Sequence, residues 1–303
     1  MPIRNHMLSE KIFESANDLL EYLNPLDTER WPPEQHIFRG QPDSDLQLLP
    51  SSHRTEGAVT APKRWGSKSL TCGDQVQFEQ EVLQHFIAAC DSSGLPIPGD
   101  SQHLRCLVDD PTQRLNPQSW PPQEIHHALA FAQHHGVPTC LLDWSRRSYV
   151  AAYFAASSAL AGEPKEGQRI AIWALDRRSS DIRVIEAPGS TSPNLAAQSG
   201  VFTESPISSF FNSRLPVDES TFFPVGLQHK MSLYEKSPKT PVIEVFTLPI
   251  EQAGSLLKGC ELLGVSGTTL FPGYEGISRK VRDWANTEHA GYDPGEITPR
   301  DLL

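Results

Sequence analysis

Two short runs gather the side chains most able to do chemistry. "HIFRG" sets Arg39 between an apolar pair and a glycine. A guanidinium is a planar fork that stays charged at every relevant pH and fits phosphate or carboxylate oxygens two at a time. "CLLDWSRR" delivers Asp143, Trp144 and Ser145 to what reads as the end of a strand, with Ser145 as the N-cap or first-turn residue of a buried helix. A helix start offers free backbone N–H groups and a partial positive charge, so it suits an anion, and Arg147 would lie in its first turn. The bland alternative has Asp143 or Ser145 capping the helix, Trp144 in the core and Arg39 as a strand-end surface charge. Upstream, "HHALAFAQHH" (126–135) invites a metal reading. His127 and His134 share a helical face, yet seven residues at about 1.5 Å each separate them by roughly 10 Å, too far for two ligands one turn apart. No carboxylate or cysteine at short spacing completes a set, so no metal is expected.

What is missing narrows the chemistry further. No G-x-S-x-G elbow ties a serine to a histidine, and neither G-x-x-x-x-G-K-[ST] nor G-x-G-x-x-G occurs, which disfavours serine hydrolases, P-loop ATPases, kinases and Rossmann dehydrogenases. Acidic residues outnumber basic ones 37 to 26, for a net charge of −11. General nucleic-acid binding is therefore not expected, and the doublets Arg146-Arg147 and Arg177-Arg178 read as solvated faces. Five cysteines without C-x-x-C spacing suggest neither a zinc knuckle nor a disulfide framework, and fit a reducing, cytoplasmic setting. The N-terminal stretch lacks an apolar core of signal-peptide length, and no segment approaches 18 continuous apolar residues, so no membrane association is expected.

The elements that must position these residues follow from spacing and punctuation. Apolar residues from Leu8 to Leu23 recur at helical intervals, giving an N-terminal helix within 1–30. After "WPPE", 36–39 reads as a short strand, and Gln75–Ala89 as a helix. The Ser-, Gly- and Pro-rich stretches near 54–75 and 91–122 read as loops or insertions. Pro121-Pro122 opens a helix that Gly136 and Pro138 close; "TCLLDW" is a strand and "YVAAYFAASSAL" a buried helix. "RIAIWALD" and "TPVIEVFTLP" read as strands, "NLAAQSGVFT" and "FFPVGLQHK" as strands or active-site loops, "IEQAGSLLKGCELLG" as a helix, and "GTTLFPGYEG" as a final strand and turn. Residues 285–303 read as a loose tail. The expected fold class is α+β: one domain with a central mixed sheet, flanking helices and a cleft.

Together, "FRGQ", "LLPSSHR", "AQHHGVPTCLLDWSRRSYVAAYFA", "AAQSGVFT" and "TLFPGYEGI" resemble the FRG domain family, named for its Phe-Arg-Gly signature, over a domain of 31–284. At the variable places of the central motif this chain has His135, Val137, Cys140 and Ser145, and the basic residue often found shortly before the later glutamine is absent. The family's layout is in turn similar to that of ADP-ribosyltransferases. That resemblance implies a cleft lined by Arg39, Gln133, His134, Asp143, Ser145 and Gln198, with NAD as substrate and no metal. Arg39, Gln133, His134, Trp144 and Ser145 would hold the nucleotide; Arg39, Asp143, Ser145 and Gln198 would form the catalytic set. Active transferases use a late glutamate, for which Glu204 and Glu244 also compete here. The implied activity is an ADP-ribosyltransferase or NAD glycohydrolase, with a protein acceptor and a bacterial toxin or phage-defence role as further expectations. A nucleotide-sensing or protein-binding module using the same cleft is the alternative.

Overall fold

A computed structural model describes residues 8–54, 71–178, 182–186, 192–204, 226–228 and 243–289. Seven strands form one mixed sheet: β1 (Leu8–Ile12), β2 (His36–Gln41), β3 (Leu141–Ser145), β4 (Arg169–Asp176), β5 (Val184–Ile185), β6 (Gly200–Glu204) and β7 (Ile243–Pro249). Their order is β1-β7-β4-β2-β3-β6-β5, parallel only between β1 and β7. The α+β class with a mixed sheet is the one expected. β4 shows why "RIAIWALD" is so apolar: Ile170, Ile172 and Ala174 face one core while Ala171, Trp173 and Leu175 face another.

Two groups of helices lie on the sheet face that carries Phe38, Leu141, Ala174 and Phe202. In one, α1 (Ala16–Tyr22) packs with the later helix 148–160 and with 253–262, around Leu19, Leu20, Phe38, Val150, Phe246 and Leu256. In the other, α2 (Cys72–Ser93), α3 (Gln102–Asp109) and α4 (His126–His134) enclose Val76, Leu83, Leu104, Trp120, Leu129 and Leu141. The opposite face buries Ile37, Leu142, Trp144, Trp173 and Val245. Among the described residues the remaining α-helices are α5 (Ser148–Leu160), α6 (Pro193–Ala197), α7 (Ala253–Leu262), α8 (Gly267–Leu270) and α9 (Tyr274–His289).

Four expectations need correction. Residues 8–12 are a strand rather than the first turns of a helix, because β7 supplies a parallel partner over Ile243–Thr247. Residues 91–122 are not mere loop: α3 is capped by the Ser101 hydroxyl, which accepts from the Leu104 N–H at 3.1 Å. "NLAA" is the short helix α6, and only "GVFTE" is strand. "GTTLFPGYEG" forms α8 and the start of α9 in place of a strand, and α9 runs to 289, five residues into the expected tail. Positions 290–303, 55–70 and most of "FFPVGLQHK" lie outside the described residues.

Gly40 has a single physical reason. β2 crosses α5 so closely that a Cβ there would lie 1.9 Å from the Ala151 carbonyl oxygen and 2.6 Å from the Ala155 nitrogen. Both are backbone atoms and cannot move aside as a side chain would. Gly40→Ala should therefore cost about 3 kcal/mol or more, read as a lowered urea midpoint with an unchanged m value.

Candidate functional site

The site begins where the sheet opens. β2 shares six residue pairs with β4 but only one with β3, Phe38 opposite Ser145. Beyond that pair the strands diverge, and the main-chain groups of β3 need other partners. Arg39 supplies one: its Nη1 donates to the Asp143 carbonyl oxygen at 2.7 Å and stands 3.6 Å from Asp143 Oδ2. Its side chain is only 14% exposed, against 62% for that of Asp143. Burial lowers the Arg39 pKa from its ordinary value, with the Asp143 charge opposing that shift. The buried Nε–H has no acceptor among the described residues.

Asp143 is held by a directed chain of hydrogen bonds. The Leu141 N–H donates to Thr139 Oγ1 at 3.2 Å, the Thr139 hydroxyl donates to Gln133 Oε1, and Gln133 Nε2 donates to Asp143 Oδ1 at 2.6 Å. Each donor points toward the carboxylate, so the amide orientation and the acceptor role of Asp143 are fixed together. Gln133 can do this because α4 ends just beyond it, at Gly136 with φ of +82°. The next residue, His134, meets the Ser192 hydroxyl at 2.6 Å. Burial, followed by neighbouring His135, lowers the His134 pKa, while Asp143 and Glu275 pull it back. Ser192 already accepts from the Leu195 N–H, which leaves its hydroxyl proton for a neutral imidazole.

Arg39, Gln133, His134 and Asp143 line one cavity of about 570 Å³, together with Phe38, Ser145, Phe154, Ser158, Asn194, Gln198, Phe271, Glu275 and Arg279. That size suits a nucleotide-scale ligand. The sequence-derived set of Arg39, Gln133, His134, Asp143, Trp144, Ser145 and Gln198 is thus brought to a single cavity. Its members differ in what they can still do. Ser145 is not a helix cap: it ends β3, and α5 begins only at Ser148, whose hydroxyl donates to the Leu23 carbonyl at 2.7 Å. The Ser145 hydroxyl donates to the Gln198 carbonyl at 2.7 Å and accepts from the Arg147 N–H at 2.9 Å. Gln198 closes α6 instead of sitting on a late strand, and its amide donates to the Leu270 carbonyl at 3.2 Å. The Trp144 indole belongs to the core and donates to Thr203 Oγ1 at 2.9 Å. It is no stacking platform; Phe38, Phe154, Phe202 and Phe271 line the cavity, with the rings of Phe154 and Phe271 6.0 Å apart edge to face.

The competing carboxylates separate cleanly. Glu204 lies away from this cavity, 3.2 Å from His126 and 3.7 Å from Arg183. Glu244 is on β7, where burial raises its pKa against the pull of Lys11 and Arg30. The second carboxylate on the cavity wall is Glu275, which sequence reasoning did not single out although it lies inside "GYEGI". Arg279 holds it at 3.1 Å and lies over the Phe271 ring at 3.8 Å. Among the described residues no group of three or more His, Cys, Asp or Glu side chains could hold a metal ion, and no helix is long and apolar enough to cross a membrane.

Residues 34–163 match the family model described as the FRG domain. The chain carries an FRG domain. The match includes Arg39, Gln133, His134, Asp143 and Ser145, and stops before Gln198 and Glu275. The FRG segment therefore supplies the strand opening and the polar wall of the cavity, while α6 and the α8–α9 region supply the facing side. Comparisons with curated proteins and with solved structures returned no match for the chain.

Proposed function

We propose that the FRG domain cavity binds NAD and cleaves its nicotinamide–ribose bond. One observation carries this reading: a buried arginine with an unanswered Nε–H lies on the wall of a cavity that also presents two carboxylates, Asp143 and Glu275. In the proposed reaction Arg39 holds a phosphate oxygen of the dinucleotide, and the apolar rings of Phe154 and Phe271 flank the base. The bond from C1′ to the nicotinamide nitrogen breaks, its electron pair leaving with neutral nicotinamide. Asp143, already oriented by Gln133, faces the positive charge that grows on the sugar. Water, or a nucleophile on an acceptor protein, then adds at C1′ and loses its proton to a carboxylate. The first outcome is glycohydrolysis and the second ADP-ribosyl transfer. Ser145 and Gln198 act in this scheme as ties that hold the wall, and His134 as a neutral hydrogen-bonding partner. A cytoplasmic toxin or phage-defence role fits such chemistry, and growth arrest on expression would report it.

A second reading, a nucleotide-sensing module, is favoured by the internal hydrogen bonds that already engage Gln133, His134, Ser145 and Gln198. Incubation with NAD decides between them. Catalysis releases nicotinamide, detectable by chromatography, and Asp143→Asn should lower that rate on the order of 100-fold because it removes the oriented charge. Thermal stabilisation by NAD recovered intact would favour sensing. The absence of both release and stabilisation would rule out NAD for this cavity.

A further inference from the structure

α9 is amphipathic in an inverted sense. The face it turns to the body is polar: Asp283 accepts from the Tyr153 and Ser157 hydroxyls, each at 2.6 Å, and Lys280 pairs with Glu261 at 2.9 Å. Gly276 permits the close approach, since a Cβ there would meet the Phe271 carbonyl oxygen at 2.0 Å. The face turned outward is apolar, with Tyr274, Ile277, Val281 and Trp284 exposed by 90%, 52%, 56% and 64%. Their spacing of three, four and three residues makes one continuous stripe. Beside it runs a groove of about 510 Å³ lined by Leu257, Val265, Ile277, Val281 and Trp284. A monomer that buried this helix for its own stability would turn it the other way round.

We propose that α9 is a self-association helix, pairing antiparallel with α9 of a second copy. The pattern is symmetric about position 279: Tyr274 and Trp284 are equidistant from it, as are Ile277 and Val281. A two-fold axis there sets each aromatic ring against the other kind and the aliphatic pair at the centre. The charges agree with the same axis. Glu275 and Arg282 lie on one flank of the stripe, seven residues apart and centred within one residue of the same point. Antiparallel pairing brings like flanks together, so Glu275 of each copy meets Arg282 of the other. Arg282 makes no ion pair with a carboxylate among the described residues, only a 3.4 Å contact to the Ser278 carbonyl. Because Glu275 and Arg279 also line the cavity, the paired helices would form its outer wall.

Sedimentation of the full chain across a concentration series tests this. A reversible dimer is expected for the wild type and a monomer for Val281→Asp, whose thermal midpoint should match that of the wild type at concentrations where the wild type has dissociated, because the side chain is exposed. Arg282→Glu should weaken self-association on the order of tenfold by opposing Glu275, and the double variant E275R/R282E should recover it. A monomeric wild type at every concentration would overturn the proposal, as would a Val281→Asp dimer or a charge swap without recovery. Binding of a monomeric wild type to vesicles of anionic phospholipid would likewise overturn it and assign the stripe to a membrane surface.

Discussion

Arg39→Ala is expected to abolish measurable nicotinamide release, a fall on the order of 100-fold or more in kcat/KM. The change removes the buried cation on the cavity wall and leaves the Asp143 carbonyl without its 2.7 Å donor. The second effect alone would lower stability by about 1–3 kcal/mol, so rate and stability must be read together. Arg39→Lys separates them. A lysine restores a positive charge, which relieves the burial imbalance, but a compact ammonium cannot serve two acceptors in the plane that the guanidinium does. The expected lysine variant is close to wild type in thermal midpoint and still impaired in KM for NAD. If lysine restores turnover fully, Arg39 acts through charge alone; if the alanine variant turns over NAD normally, Arg39 is structural.

The second large effect lies away from the cavity. Glu79 is buried and accepts from Ser52 Oγ at 2.7 Å, Gln75 Nε2 at 2.8 Å and Trp120 Nε1 at 2.7 Å, with His53 Nε2 at 3.1 Å. This accounts for the "PSSH" run, whose turn is fastened to Thr139: Ser52 N–H donates to the Thr139 carbonyl at 3.2 Å, and Thr139 N–H to Ser51 Oγ at 3.0 Å. Thr139 orients Gln133, and Gln133 orients Asp143, so Glu79 stands at the head of the chain that ends in the cavity. Glu79→Ala should cost about 3–5 kcal/mol, measured by urea unfolding, because several buried donors lose their acceptor at once. Burial pushes the Glu79 pKa up, but the hydrogen bonds and charge of His53, with those of Gln75 and Ser52, outweigh it and leave it lowered. A folded-state pKa below the unfolded one gives stability that is present above the unfolded value and lost as pH falls through the folded one. Acid unfolding of the wild type should therefore be steeper than that of Glu79→Gln, which carries no such proton linkage.

Much of the scaffold was legible because its signals are local. Gly136 and Pro138 end α4, Gly264 ends α7, and the apolar runs of β4 and β7 admit little but buried strand. β1 was not legible, since "LSEKI" keeps helical spacing and its partner lies more than 200 residues away. α9 was hidden by "FPGYEG", where glycines usually break a helix. Gly276 is there for packing against Phe271, which no local pattern reveals. The site divides the same way. Arg39 comes from "FRGQ" and Gln133, His134, Asp143 and Phe154 from the central motif, whereas Asn194, Glu275 and Arg279 arrive from two later helices. Ser145 was misread as a cap because a hydroxyl before a helix usually is one. Here the strand continues, pairing Ser145 with both Phe38 and Gly200.

The lone Phe38–Ser145 pair has a mechanical meaning. It makes the molecule two half-sheets, β1-β7-β4-β2 and β3-β6-β5, stitched along a seam by one rung of main chain and the Arg39 side chain. The cavity lies along that seam, so any ligand filling it acts as a clasp between the halves. A ligand that binds the folded cavity and not the unfolded chain would therefore strengthen the join between the halves by mass action.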